Sequence, residues 1–68
     1  MAKVVIAGQT FVVRIGSGNA DNHCVFLAHN GCIQECYEHT SDQEAEDTYS
    51  TLVDALTTVS RIVGNINV

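Results

Sequence analysis

Basic residues are the scarcest charged class in this sequence: three Lys and Arg face eight Asp and Glu, for a formal charge of −5. Binding nucleic acid through its phosphates needs clustered Lys and Arg. Lys3, Arg14 and Arg61 are scattered along the chain, which argues against that class of function. Long apolar runs are also missing. No stretch approaches the roughly 18 residues of a membrane span. The short Val4-Val5-Ile6 run behind Lys3 is interrupted by Gln9 and Thr10, with no cleavage site after it, which argues against a signal peptide. The expected location is cytoplasmic, with reduced thiols. There is no Cys-x₂-Cys pair and no cofactor motif. Gly16 and Gly18 follow a strand-like run, but neither a Lys nor a helix follows them, so Gly16 to Asn22 reads as a plain connector and not a phosphate loop.

What is present is an apolar chain of 68 residues, 46% hydrophobic, which is too apolar for a disordered tail. Its length predicts one domain spanning residues 1–68. A chain this short buries only about 60% of the surface its unfolded form exposes. Small domains of this kind usually add a disulfide, a metal or a partner chain.

Two hairpins are predicted. Lys3 to Ala7 and Thr10 to Ile15 are β-rich runs separated by Gly8-Gln9, and Gly first in a two-residue turn suits type II′. That register pairs Ala7 with Thr10, Ile6 with Phe11 and Val4 with Val13. Val4, Ile6, Phe11, Val13 and Ile15 then share one face, and Val5, Ala7, Thr10, Val12 and Arg14 the other. His23 to His29 and Cys32 to His39 form the second pair, joined by Asn30-Gly31, the strongest short hairpin signal. An unbroken register puts Cys24, Phe26, Ala28, Ile33, Glu35, Tyr37 and His39 on one face. It puts His23, Val25, Leu27, His29, Cys32, Gln34, Cys36 and Glu38 on the other.

The helix is the clearest element. Ser41 and Glu44 form a capping-box pattern, and acids crowd the first turns, where the helix dipole favours them. Ala45, Tyr49, Leu52, Leu56, Val59 and Val63 recur at alternating spacings of four and three. Arg61 is expected in the last turn and Gly64 as the C′ residue, with residues 65–68 free to extend as a short fifth strand. The fold class is therefore α+β: a four-stranded antiparallel β-meander of two hairpins, with one C-terminal amphipathic helix packed on one face.

Four groups of residues bear on function. Cys24, Cys32, Cys36, His23, His29 and His39 contain metal-ligand chemistry. Cys32 and Cys36 are nevertheless about 13 Å apart along a strand, and Cys24 is expected on the opposite face. No metal, cofactor or intrachain disulfide is therefore predicted. His29 and Cys32 flank a turn closely enough to activate a thiol, but catalysis also needs a pocket and an orienting group, so no catalytic residue is assigned. Glu35, Glu38, Asp42, Glu44, Glu46 and Asp47 gather six of the eight acids in one segment, and capping does not account for Glu35 and Glu38. Such a patch suits a basic protein surface. Finally, Val5, Ala7, Val12, Val25 and Leu27 are expected on the sheet side away from the helix, where a homodimer interface would cover them.

The expectation for function is a small acidic non-enzymatic interaction protein, an inhibitor or adaptor that binds a basic protein surface. Phage or mobile-element inhibitors of host nucleases or defence complexes fit this size and charge. The competing expectation is a small-ligand or metal-binding module that joins His23, His29, Cys32 and Cys36 across a dimer.

Overall fold

The computed structural model describes residues 1–17 and 23–66, without the side chains of residues 17 and 66. Chain order is β1 (Ala2–Ile6), β2 (Gln9–Ser17), β3 (His23–His29), β4 (Cys32–His39) and α1 (Asp42–Ile66). The four strands form one antiparallel sheet in sequence order, with the helix on one face. This is the α+β meander expected from the hydrophobic pattern. Residues 18–22 of the connector and residues 67–68 of the tail lie outside the described residues.

The first hairpin turns one residue earlier than expected. Ala7 (φ 49°) and Gly8 (φ 78°) occupy its two central positions, and positive φ at both is the type I′ pattern. The pairs are Ile6 with Gln9, Val4 with Phe11 and Ala2 with Val13. The slip is two places in register, so the face assignment of every strand residue survives, while Ala7 leaves the sheet and becomes an exposed turn residue. The gain is visible in Gln9. Its Oε1 accepts from Asn30 Nδ2 at 2.8 Å and lies 2.8 Å from His29 Nε2, contacts that tie the first turn to the second. Asn30 adds two more links, accepting from Thr10 N at Oδ1 and donating its own N–H to Thr10 O, both at 2.8 Å.

The second hairpin has the expected turn, with Asn30 (φ 50°) and Gly31 (φ 89°) in type I′ geometry. Its register does not run unbroken. His29 pairs with Cys32 and Ala28 with Ile33, but Leu27 pairs with Glu35, so Gln34 is the extra residue of a β-bulge. A one-residue shift exchanges faces for everything beyond it. Glu35, Tyr37 and His39 therefore join Val25, Leu27 and His23, while Cys36 and Glu38 join Cys24 and Phe26.

Pairing of β2 with β3 then decides which face is core. Val13 opposes Leu27 and Ile15 opposes Val25. Val13, Val25 and Ala45 are buried, with Leu27, Tyr49, Leu52, Val53 and Leu56 packed against them. Val25 and Leu27 thus lie under the helix, not on the far side of the sheet. Neither can line an interface there, because β2 places them beside the apolar face that the first hairpin contributes to the core.

The helix starts as its cap predicts. Ser41 Oγ accepts from Glu44 N at 3.2 Å, and Ser41 O accepts from Ala45 N at 3.2 Å. The Glu44 carboxylate turns toward His39 instead, at 3.7 Å from Nδ1. From the β4 end of the sheet α1 crosses to β1, where Ser60 Oγ donates to Val5 O at 3.0 Å. Helical structure continues through Gly64 to Ile66, so Gly64 is not a C′ residue, residues 65–66 are not strand, and no base falls in the last turn. At 1.5 Å per residue, 25 residues span about 37 Å, against roughly 14 Å across four strands. The overhang leaves Val59 44% and Ile62 52% exposed. Among the described residues, no helix is long and apolar enough to cross a membrane.

Candidate functional site

Asp42, Glu44, Glu46 and Asp47 stand at the corner where β4 meets the start of α1, with Glu38 near the end of β4 and Glu35 at mid-strand. Glu35 projects on the helix side of β4, opposite Leu27, while Glu38 projects on the other side, opposite Cys24. Asp42 and Glu44 stand in the first helical turn, with Glu46 and Asp47 in the next. All six side chains are exposed. Three have local partners: Asp42 Oδ1 is 2.9 Å from His23 Nδ1, Glu44 faces His39, and Asp47 Oδ1 accepts from Gln43 Nε2 at 2.9 Å. The corner is held rigidly at its base, since His39 Nε2 also lies 2.8 Å from Thr48 Oγ1. A shallow depression beside it is lined by Tyr37, Asp47, Thr48, Thr51 and Leu52.

The histidines and cysteines do not converge. His23 belongs to the β3–helix contact with Asp42. His29 opposes Cys32 across the turn, but its ring is stacked on Phe11 at 4.8 Å between centroids and its Nε2 is engaged by Gln9. His29 therefore serves to fasten the two turns. Cys36 lies on the opposite face from His23 and His29, so these three cannot share one face as the unbroken register implied. Among the described residues, no group of three His, Cys, Asp or Glu is placed to hold a metal ion.

Because of the bulge, Cys24 and Cys36 share a face, contrary to the sequence expectation. Cys24 is buried, whereas Cys32 and Cys36 are exposed, and all three are free thiols. Burial pushes the Cys24 thiol above its ordinary pKa, helped by a hydrogen bond with Cys36 and by the charges of Cys36 and Glu38.

The sheet face away from the helix is the second surface. Its cross-strand rows are Lys3, Val12, Ala28 and Ile33; Arg14, Phe26 and Cys36; and Gly16, Cys24 and Glu38. Arg14 places its guanidinium carbon 5.3 Å from the Phe26 ring centroid. The ring extends over Gly16, where an added Cβ would lie 3.0 Å from Phe26 Cε2. Val5 (52%), Ile33 (60%) and Met1 (88%) are the most exposed large apolar residues here, and a half-open hollow of about 330 Å³ lies between Val12, Arg14, Phe26, Ala28 and Ile33. The sequence pattern missed Phe26, Ala28 and Ile33 as surface residues of this face. Val5 and Val12 are where it placed them.

No family model matches the chain, and no curated protein or solved structure is significantly similar to it.

Proposed function

We propose that this chain is a small acidic, non-enzymatic interaction protein, an inhibitor or adaptor that engages a basic protein surface through the corner formed by Glu35, Glu38, Asp42, Glu44, Glu46 and Asp47. The observation that carries this reading is the exposure of all six carboxylates, five of them on the helix side of β4 or in the first two turns of α1 and Glu38 on the other side of the sheet. Two of them, Asp42 and Glu44, face histidine ring nitrogens at 2.9 and 3.7 Å. The rest leave a concentrated negative field on rigid secondary structure, the arrangement that steers a positively charged partner. An inhibitor of a nuclease or defence complex, acting in the cytoplasm by covering a nucleic-acid groove, is the specific form we favour. The protein works as a homodimer in this reading, which supplies the partner chain that a domain with so small a core calls for.

The test is paired affinity capture, with the wild-type protein and a Glu35→Lys/Glu46→Lys/Asp47→Lys variant as baits. These positions are exposed, and the lost dipole and Gln43 contacts should lower the melting temperature only modestly, so both baits are compared at a temperature where circular dichroism shows each folded. Proteins retained by the wild type in a salt-sensitive manner, and lost with the variant, support the acidic corner. An identical set of captured proteins from both baits refutes it.

A further inference from the structure

The distribution of charge on the folded chain is strongly one-sided. Two of its three bases, Lys3 and Arg14, lie on the open sheet face, and among the described residues Glu38 is the one acid on that face. Glu35 and the helix acids Asp42, Glu44, Glu46, Asp47 and Asp54 lie elsewhere. For a chain of net charge −5, the open face, as formed by the described residues, is a broad surface where two copies can approach without strong like-charge repulsion. It is also apolar at its centre, through Val12, Phe26, Ala28 and Ile33.

We propose that a second copy of this chain covers the open sheet face, related by a two-fold axis running along the strands. The proposal rests on the homodimer reading above and adds its geometry. The bases sit on β1 and β2, and the acid sits on β4. An axis along the strands lays the β1–β2 half of one copy over the β3–β4 half of the other. Arg14 then stands over Phe26 of the second copy, with Glu38 of that copy one strand and one row away. Val12 stacks over Ala28 of the second copy. The other two-fold arrangement, with the axis across the strands, stacks β1–β2 on itself and brings Lys3 and Arg14 against their own copies. Charge therefore selects the first. Pairing through a sheet edge is less favoured on both sides: Ser60 occupies the Val5 carbonyl of β1, and β4 carries a bulge, a feature that blunts edges.

The face is small. Four strands about 4.8 Å apart and rows spanning roughly 20 Å give an area of about 400 Å² in plan, about half of what each partner buries in a standard specific interface and in the range of weak, transient pairs. The dimer should accordingly dissociate on dilution.

Sedimentation equilibrium over a wide concentration range tests this, with far-UV circular dichroism to confirm folding. The expected result is a dimer mass at high micromolar protein that falls to a monomer on dilution. Ile33→Lys, at a position 60% exposed, should abolish the dimer and leave the fold intact. Arg14→Glu should also dissociate it, and Arg14→Glu/Glu38→Lys should restore it. A monomer at every concentration overturns both the homodimer reading and this geometry. A dimer that survives Ile33→Lys and Arg14→Glu but is lost with Cys36→Pro, at a β4 position whose N–H faces the free edge, overturns the geometry alone, in favour of edge pairing. Masses that grow beyond two copies show a head-to-tail contact and also overturn it.

Discussion

Ala7 holds a backbone conformation that its side chain disfavours, and replacing it offers a direct measure of what the first turn costs. An L-residue with a Cβ loses about 1–2 kcal/mol in the left-handed region, and Ala7 sits there at φ 49°. Asparagine tolerates that region, and Asn-Gly is the preferred pair for a type I′ turn. Ala7→Asn would convert the turn to the same Asn-Gly sequence that already closes the second hairpin. Ala7 is exposed, so the larger side chain displaces no core group. The expected gain is about 1 kcal/mol, most of the conformational penalty. In a domain of this size that corresponds to a rise in melting temperature of about 4–8 °C. Gly8→Ala is the matched control. Its added Cβ meets nothing within 4 Å, yet φ is +78°, so any loss is backbone strain alone, again about 1 kcal/mol. Thermal and urea denaturation of both variants, at a concentration where the oligomeric state is fixed, reads the two changes. A melting temperature for Ala7→Asn at or below wild type would refute the turn assignment, as would a neutral Gly8→Ala.

Three further outcomes are expected. Leu56 packs against the core but is only half-buried, so Leu56→Ala should cost about 2 kcal/mol in urea denaturation, the lower end of the large-to-small range; a loss under about 0.5 kcal/mol would show that the helix is not packed there. In the native protein, iodoacetamide should modify Cys32 and Cys36 readily and Cys24 only after unfolding, as read by intact mass and peptide mapping; equal labelling of all three would contradict the burial of Cys24. Because its folded-state pKa is raised, the Cys24 thiol keeps its proton in the native state at a pH where the unfolded chain has lost it. Stability should therefore decline as pH rises past the ordinary thiol range, and Cys24→Ala, whatever its cost at neutral pH, should flatten that decline.

The parts of the fold that were legible in the sequence are those fixed by strong local patterns. Asn30-Gly31 closes its hairpin as read, and Ser41 caps the helix through Glu44 N. The apolar alternation of Val4, Ile6, Phe11 and Val13 survives a wrong turn because a two-place slip preserves parity. Two things were not legible. The turn at Ala7-Gly8 places a non-glycine residue at positive φ, and its compensation comes from Gln9 contacts with His29 and Asn30 about twenty residues away in sequence, information that no local window contains. The bulge at Gln34 has no glycine to mark it, since the residues around it are Ile33 and Glu35.

Whether that single residue pairs or bulges also determines what the molecule can offer a partner. Were Gln34 paired opposite Leu27 in an unbroken ladder, Glu35 would point to the open side and Glu38 to the helix side, and Cys36 would share a face with His23 and His29. Because Gln34 is bulged out, Cys36 and Glu38 lie on the open face, and the metal-ligand set is divided between two sides of the sheet. The bulge also brings Tyr37 opposite Val25, where its exposed ring lines the depression beside Leu52. In the unbroken register Cys36 would occupy that place. The acid that remains on the open face is then Glu38, at the far strand from Lys3, so positive and negative groups lie on opposite halves of one apolar surface. A surface divided in this way is self-complementary under rotation about an axis along its strands and self-repelling under rotation about an axis across them. The preference for one pairing geometry over the other thus depends on Gln34 standing outside the ladder; deleting Gln34 would remove the bulge yet keep Glu35 opposite Leu27 and Glu38 opposite Cys24, so the charge that selects the pairing should stay on the open face.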